Sequence, residues 1–141
     1  MDALNRRLIW HGMFLFLLGL LTGLIETQFA NVRMGLAAHL EGVMNGIFLL
    51  ALGAIWGSVK LSPTWTGFAF YSALYGTYGN WFFTVLAASF ATGALSPITA
   101  AGKTATPWQE SLVTIGFTSV GVSIIVAALM VLWGLRKKAT S

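Results

Sequence analysis

Apolar residues occupy four long segments of this chain, and charged residues interrupt those segments only at or near their ends. A helix that crosses the hydrocarbon core of a bilayer needs roughly 20 mostly apolar residues. Each segment reaches that length, so the pattern predicts transmembrane helices over residues 8–27, 38–58, 64–92 and 111–135. We therefore expect an all-α protein, in which residues 1–141 form a single integral membrane domain built as a four-helix bundle.

The composition supports a membrane location. Of the 141 residues, 57% are apolar and 9% are charged, whereas soluble domains carry about a quarter charged residues. Because so few charges cannot cover a soluble domain, a lipid bilayer is the expected partner. The chain has no cysteine, which excludes disulfides, thiolate metal sites and iron–sulfur clusters. The net charge of +4 is small and lies at chain ends and in loops, so no nucleic-acid partner is expected.

Basic residues predict the orientation of the bundle, because cytoplasmic loops of membrane proteins carry an excess of lysine and arginine. One side of the predicted bundle carries Arg6, Arg7, Lys60, Arg136, Lys137 and Lys138. The other side carries only Arg33 and Lys103. Both termini are therefore predicted to be cytoplasmic. The first segment lacks a convincing cleavage site and three more spans follow it, so we expect it to be retained as an anchor.

Four ionisable residues lie within or at the edge of the predicted spans, namely His11, Glu26, His39 and Glu41. Such residues are costly in a bilayer and are functional candidates by default. The first two spans run in opposite directions, which places the two histidines on the order of 25 Å apart. One flat cofactor within one subunit therefore cannot be held by both imidazoles. Glu26 is expected to face water, and Glu41 either faces water or hydrogen-bonds a neighbouring group or a substrate.

Glycines follow His39 at helical spacing along the second span, at Gly42, Gly46, Gly53 and Gly57. Small residues on one helix face allow close helix–helix packing in membranes. The same face could instead be a bare wall for a flat macrocycle, with His39 as an axial ligand at its end. The spacing leaves both interpretations open.

Polar residues in the third span suggest a second candidate region. Tyr71, Tyr75 and Tyr78 follow helical spacing along one face. These phenols are either interhelical hydrogen-bonding groups or proton donors along a substrate pocket. Asn80 is either a helix-pair hydrogen bond or a substrate contact, and it lies at a depth comparable to Asn45, which is about 9 Å deeper than His39.

Other chemistry is unsupported by sequence motifs. The chain has no P-loop, GxGxxG, HExxH or GxSxG pattern, and its serines and threonines have no base at an obvious spacing, so nucleophilic hydrolysis is not indicated. Charge within the spans is too sparse for an ion-coupled transporter. The connection at 93–110 is long for a compact bundle, and such loops are often functional.

Two stretches carry a family resemblance. "RRLIWHGMFLFLLGLLTGL" followed by "NVRMGLAAHLEGVMNGIFLLALGAIW" resembles the hydroxylaminobenzene mutases, small bacterial membrane enzymes of nitroaromatic degradation. The resemblance is densest over residues 6–57. It implies a multi-pass protein of the bacterial inner membrane that converts hydroxylaminobenzene to 2-aminophenol, with the hydroxyl group migrating from nitrogen to the ortho carbon within one molecule.

A more distant similarity links the chain to the styrene oxide isomerases. His11 and Gly12 match a histidine–glycine pair in the first helix of that family, and His39 and Asn45 match a histidine and an asparagine six residues apart in its second helix. The similarity implies that His39 ligates the iron of haem b, that Asn45 lies in the substrate pocket, and that the protein is a homotrimer with haem between subunits.

One departure from that family concerns proton transfer. A simple match at Asn80 places Thr84 where the pocket tyrosine of the family stands. Tyr78 or Tyr75 would then have to act from another helical turn.

The function expected from the resemblance is therefore that of a membrane isomerase in which ferric haem acts as a Lewis acid. In that expectation His39, Gly42 and Gly46 hold the cofactor, Asn45 and Asn80 contact the aromatic hydroxylamine, and Tyr78 or Tyr75 handles the proton. The alternatives are an epoxide isomerase of the styrene oxide type, a non-enzymatic haem-binding electron carrier, and a haem-free packing protein.

Overall fold

The computed structural model describes residues 3–136, and these residues form helices and no strand. The helices, in chain order, are α1 (Ala3–Leu24), α2 (Val32–Ile55), α3 (Pro63–Phe90), the short α4 (Pro97–Ala100) and α5 (Pro107–Arg136). Short 3-10 turns follow α1 and α2, at Glu26–Gln28 and Trp56–Ser58. The all-α class predicted from the sequence is confirmed. Lys137 and Lys138, which contributed to the predicted orientation, lie outside the described residues.

Three of the described helices are long and apolar enough to cross a membrane: Ala3–Leu24, Val32–Ser58 and Pro107–Arg136. Helix α3 has sufficient length, at 28 residues, but it is not among the helices whose mean hydropathy suits a membrane span. The protein is thus an all-helical protein with three apolar helices of membrane-spanning length, and the fourth span and the cytoplasmic termini stay predictions.

Helices α1, α2 and α5 begin four to six residues before the apolar segments that predicted them, whereas α3 begins one residue before its segment. Apolar runs mark the part of a helix suited to hydrocarbon, whereas capping groups determine where the helix begins. Asn31 precedes α2, and its side chain accepts a hydrogen bond from the Met34 backbone N–H at 3.2 Å. Proline occupies the first turn of α3, where its missing N–H leaves no hydrogen bond unmade.

Helices α1 and α2 form a closely packed antiparallel pair through their glycines. The backbone of Gly19 lies directly against that of Gly42, and Gly12 packs against Gly46. A Cβ atom on Gly46 would lie 2.6 Å from the Phe16 backbone nitrogen. Only glycine permits this separation of the two backbones, which is the packing role of small residues in membrane helices.

Helix α3 packs between α2 and α5 and completes the core. Fully buried side chains at the centre include Leu15 of α1, Leu49 of α2 and Phe70 of α3. Many large apolar side chains point outward instead, such as Leu24 and Ile115, which are 79% and 69% exposed. An apolar exterior of this kind suits a lipid-facing surface.

The connection between α3 and α5 is tied to the end of the bundle where α2 begins. Asn31 donates from Nδ2 to the carbonyls of Thr99 and Ala100, at 3.1 and 3.4 Å. Lys103 Nζ donates to the Ala30 carbonyl. The Glu110 carboxylate accepts backbone N–H bonds from both ends of the connection, namely from Gly93, Ala94 and Ala105 at 2.9, 3.0 and 3.1 Å. These bonds hold the connection across one side of the bundle end.

Candidate functional site

Three polar side chains converge between α2 and α3. Glu41 Oε2 accepts hydrogen bonds from Asn45 Nδ2 at 3.0 Å and from Asn80 Nδ2 at 2.5 Å. Asn45 Nδ2 also donates to the Glu41 backbone carbonyl at 2.8 Å. Glu41 and Asn45 are one turn apart on α2, so they share a face, and α3 presents Asn80 opposite them. The structure therefore brings together the two asparagines that the sequence singled out, with a carboxylate as their common partner.

A pocket of about 410 Å³ adjoins this cluster. It lies between α2, α3 and α5, beside the connection that contains α4. Its lining residues are Met34, Ala37, Glu41, Asn80, Thr84, Leu95, Ser96, Thr99, Phe117 and Thr118. The volume falls within the roughly 300–1,000 Å³ of small-molecule sites, which are typically apolar with a few placed polar groups. The pocket therefore has the size and the mixed lining of a site for a small aromatic compound with a polar substituent.

The two carboxylate oxygens of Glu41 have different surroundings. Oε2 carries both amide hydrogen bonds, whereas Oε1 has no hydrogen-bond partner among the described residues. Asn45 Nδ2 places its hydrogens on the backbone and the carboxylate of Glu41, so Asn45 orients this side chain and is not itself among the lining residues. Asn80 lines the pocket, and Thr84 Oγ1 donates to its backbone carbonyl at 2.6 Å.

The histidine predicted to bind iron lies on a different face of α2. His39 is half-buried against α1, with Nδ1 2.8 Å from the Gly19 carbonyl. A Cβ atom on Gly23 would lie 2.6 Å from the same nitrogen, so the imidazole occupies space that the glycine leaves. Since a carbonyl only accepts, Nδ1 carries a hydrogen, and in the neutral imidazole Nε2 then keeps its lone pair.

This arrangement is one in which the imidazole of His39 would be able to hold haem iron. Histidines that bind metals commonly donate their other ring N–H to a backbone carbonyl, which sets the tautomer and the ring orientation. Nε2 of His39 makes no hydrogen bond within residues 3–136. No group of three or more potential metal ligands occurs in the same range, so a metal held by several side chains has no support there, whereas haem needs a single imidazole.

Gly42 and Gly46, predicted as part of the cofactor site, lie in the α1–α2 contact. Trp81 also packs over Gly42, and its Nε1 donates to Thr22 Oγ1 at 3.0 Å. Both glycines are buried. At both positions the structure shows close packing of α2 against α1, and a role of Gly42 and Gly46 in holding a cofactor stays a prediction.

The tyrosines of α3 point toward different neighbours. Tyr78 OH lies 3.0 Å from His11 Nδ1 and donates to the His11 carbonyl at 3.3 Å. Tyr75 OH pairs with Ser119 Oγ of α5 at 2.7 Å, and Tyr71 is 61% exposed. Tyr75 and Tyr78 thus make interhelical hydrogen bonds, and neither is among the residues that line the pocket beside Glu41.

The two histidines are closer along the bundle than the sequence suggested. His39 contacts Gly19, which lies about 12 Å along the α1 axis from His11 at 1.5 Å per residue. The expected separation of about 25 Å placed His39 near the outer end of the second span. In the structure α2 begins at Val32, so His39 lies about two turns inside the helix, opposite Gly19. A distance of about 12 Å is still too great for both imidazoles to ligate one iron.

Sequence reasoning missed several pocket residues. Met34 and Phe117 are apolar residues among many, and Ser96 and Thr99 lie on a connection whose placement depends on Asn31 and Glu110. Glu41 is not among the missed residues, since it is already a candidate as an ionisable residue within a span, and its four-residue spacing to Asn45 predicts their shared helix face.

Comparison with known proteins agrees with the resemblance found in the sequence. The family model described as styrene oxide isomerase matches residues 4–136. Hydroxylaminobenzene mutase HabB from Ectopseudomonas oleovorans is 48% identical over 134 residues, which cover 94% of this chain and 82% of the relative. Hydroxylaminobenzene mutase HabA from the same organism is 40% identical over 127 residues, covering 89% of this chain and 94% of the relative. No solved structure matches the chain. The chain therefore belongs to the styrene oxide isomerase family, and it is an isomerase.

Proposed function

We propose that this isomerase converts hydroxylaminobenzene to 2-aminophenol by moving the hydroxyl group from nitrogen to the ortho carbon within one molecule. The observation that carries the proposal is the pocket beside Glu41, in which apolar groups such as Phe117 and Met34 adjoin the carboxylate and Asn80. The names of the two mutase relatives support the substrate.

The reaction sets three tasks for the protein. In the net isomerisation an N–O and an ortho C–H bond break while a C–O and an N–H bond form, so no external oxidant is needed. The pocket must orient the hydroxylamine group against the ring, return one proton to nitrogen and exclude water that would capture a ring cation elsewhere. In our proposal Phe117 and Met34 bury the ring, Asn80 contacts the hydroxylamine group, and Asn45 holds Glu41 in place.

We also propose that the protein binds haem b through Nε2 of His39. The hydrogen bond from Nδ1 to the Gly19 carbonyl supports this assignment, because it orients the ring and leaves Nε2 as the donor atom. Ferric haem held by this imidazole would supply a Lewis acid for the reaction.

An assembly of more than one chain would bring together the two parts of the proposed site, the imidazole of His39 and the pocket beside Glu41. His39 faces α1, whereas Glu41 faces α3, so α2 separates the imidazole from the pocket within one chain. In the assembly that we propose, a homotrimer, a neighbouring copy brings the imidazole of one subunit to the pocket of another. We propose that this assembly lies in the bacterial inner membrane with α3 as a fourth span.

The reaction is tested with protein purified in detergent and supplied with hydroxylaminobenzene in oxygen-18 water. We expect 2-aminophenol without heavy oxygen, measured by chromatography and mass spectrometry. Labelled product would contradict migration within one molecule, and absence of product would contradict the proposed substrate.

The haem assignment is tested by absorption spectroscopy of the wild type and of two matched histidine variants. We expect a Soret band in the wild type and in His11→Ala, and its loss or strong shift in His39→Ala. A wild-type protein that is active without porphyrin, or a normal Soret band in His39→Ala, would refute the assignment.

An epoxide isomerase is the second candidate, because the matching family model is described by that activity. The same preparation supplied with styrene oxide discriminates the two functions. Faster conversion of the epoxide than of the hydroxylamine, compared as kcat/KM, would favour this alternative.

A further inference from the structure

We propose that Glu41 is the residue that selects substrates carrying hydrogen-bond donors, by accepting a hydrogen bond at Oε1 from the N–H or O–H of an arylhydroxylamine. This inference rests on the proposed function and deepens it, because it names the group that would distinguish a hydroxylamine from an epoxide in the same scaffold.

The first support is the asymmetry of the carboxylate. Asn45 and Asn80 both donate to Oε2, which holds the side chain between α2 and α3. Oε1 has no partner among the described residues, while Glu41 lines the pocket. A carboxylate that is positioned by one oxygen therefore offers its other oxygen to a ligand.

The second support is the way in which the other polar residues of the pocket use their hydrogen-bond donors. Thr84 Oγ1 donates to the Asn80 carbonyl at 2.6 Å and Thr118 Oγ1 donates to the Thr114 carbonyl at 2.8 Å. Both hydroxyl hydrogens are thus engaged, whereas the side-chain hydroxyls of Ser96 and Thr99, which also line the pocket, donate to no described residue. Asn80 uses one amide hydrogen on Glu41, which leaves the second for an oxygen of the ligand.

The unpaired oxygen of Glu41 complements a hydroxylamine and not an epoxide, whereas the free donors of the pocket can bind the oxygen of either compound. The –NHOH group carries two donors, one for Glu41 Oε1, and an oxygen that can accept from Asn80. An epoxide oxygen can only accept hydrogen bonds. A bound epoxide would therefore shield the Glu41 carboxylate from water without donating a hydrogen bond in place of the water. A site built around a substrate donor rejects analogues that lack it strongly, and we expect a discrimination on the order of 100-fold or more.

The test compares Glu41→Gln with the control Glu26→Gln. The first replacement retains a carbonyl for the two asparagines and turns the free position into an N–H₂ donor. The control makes the same chemical change in the 3-10 turn after α1, outside the pocket. We expect Glu41→Gln to lower kcat/KM for hydroxylaminobenzene at least about 10-fold relative to styrene oxide, and Glu26→Gln to leave the ratio unchanged.

A binding measurement separates this inference from the proposed reaction. Aniline has N–H donors and N,N-dimethylaniline has none, so their dissociation constants report the donor preference without turnover. We expect wild type and Glu41→Asp to prefer aniline, and Glu41→Gln to lose that preference. Absence of 2-aminophenol would overturn the proposed reaction alone. Equal binding of the two amines by wild type, or an unchanged preference in folded Glu41→Gln, would overturn the role of Glu41.

Discussion

Gly46→Ala tests whether the glycine stripe of α2 is a packing surface. The added Cβ atom would lie 2.6 Å from the Phe16 backbone nitrogen and 2.8 Å from the Gly12 carbonyl oxygen. Backbone atoms of α1 cannot rotate away as a flexible side chain would, so the two helices must separate. Inserting a carbon into a well-packed contact costs roughly 1–3 kcal/mol.

The matched control is Gly121→Ala in α5, where an added Cβ meets nothing within 4 Å. Both replacements gain the same helix propensity, about 1 kcal/mol in favour of alanine. This gain cancels in the comparison, so the difference between the variants isolates the steric cost at Gly46. We expect Gly46→Ala to be less stable than Gly121→Ala by about 1–3 kcal/mol.

The assay is reversible unfolding in mixed micelles, followed by circular dichroism, with the Soret region recorded in parallel. Equal stability of the two alanine variants would refute the packing explanation. A changed Soret band in Gly46→Ala at unchanged stability would instead favour the macrocycle wall that the sequence also allowed.

Three further predictions concern the pocket, the residues around it and the connection between α3 and α5. Tyr78→Phe and Tyr75→Phe should each keep kcat/KM within about threefold of wild type, since neither phenol lines the pocket. A loss on the order of 100-fold in steady-state assays would show that the replaced tyrosine transfers the proton. Asn45→Ala should lower kcat/KM for hydroxylaminobenzene about tenfold, because Glu41 loses one of the two amides on Oε2; unchanged kinetics would contradict this positioning role. Glu110→Gln should speed amide hydrogen exchange across residues 93–105, because a neutral amide with one carbonyl oxygen replaces the carboxylate that accepts three backbone N–H bonds; unchanged exchange rates would show that other contacts hold the connection.

The positions of Glu41 and Asn80 show where sequence reasoning reached its limit. Their residue types marked both as candidates, because polar groups within apolar segments are costly and need partners. That they bond to each other depends on the rotation and register of α2 against α3, and these follow from packing along the whole length of both helices. The tyrosines show that a shared helix face does not determine the partner helix. Helical spacing placed Tyr75 and Tyr78 near one face, yet Tyr75 hydrogen-bonds to α5 and Tyr78 to α1.

The sequence by itself determined the all-α class, the long apolar helices and the family. Three of the described helices have the length and the apolar composition that a bilayer requires, and the stretch over residues 6–57 is specific enough to mark the family that comparison confirmed. Only the tertiary structure decided which polar groups meet. It placed His39 against Gly19 and Glu41 against Asn80, on separate faces of α2. It did so because contacts between helices depend on their relative rotation and offset, which the side chains of all packed faces determine together.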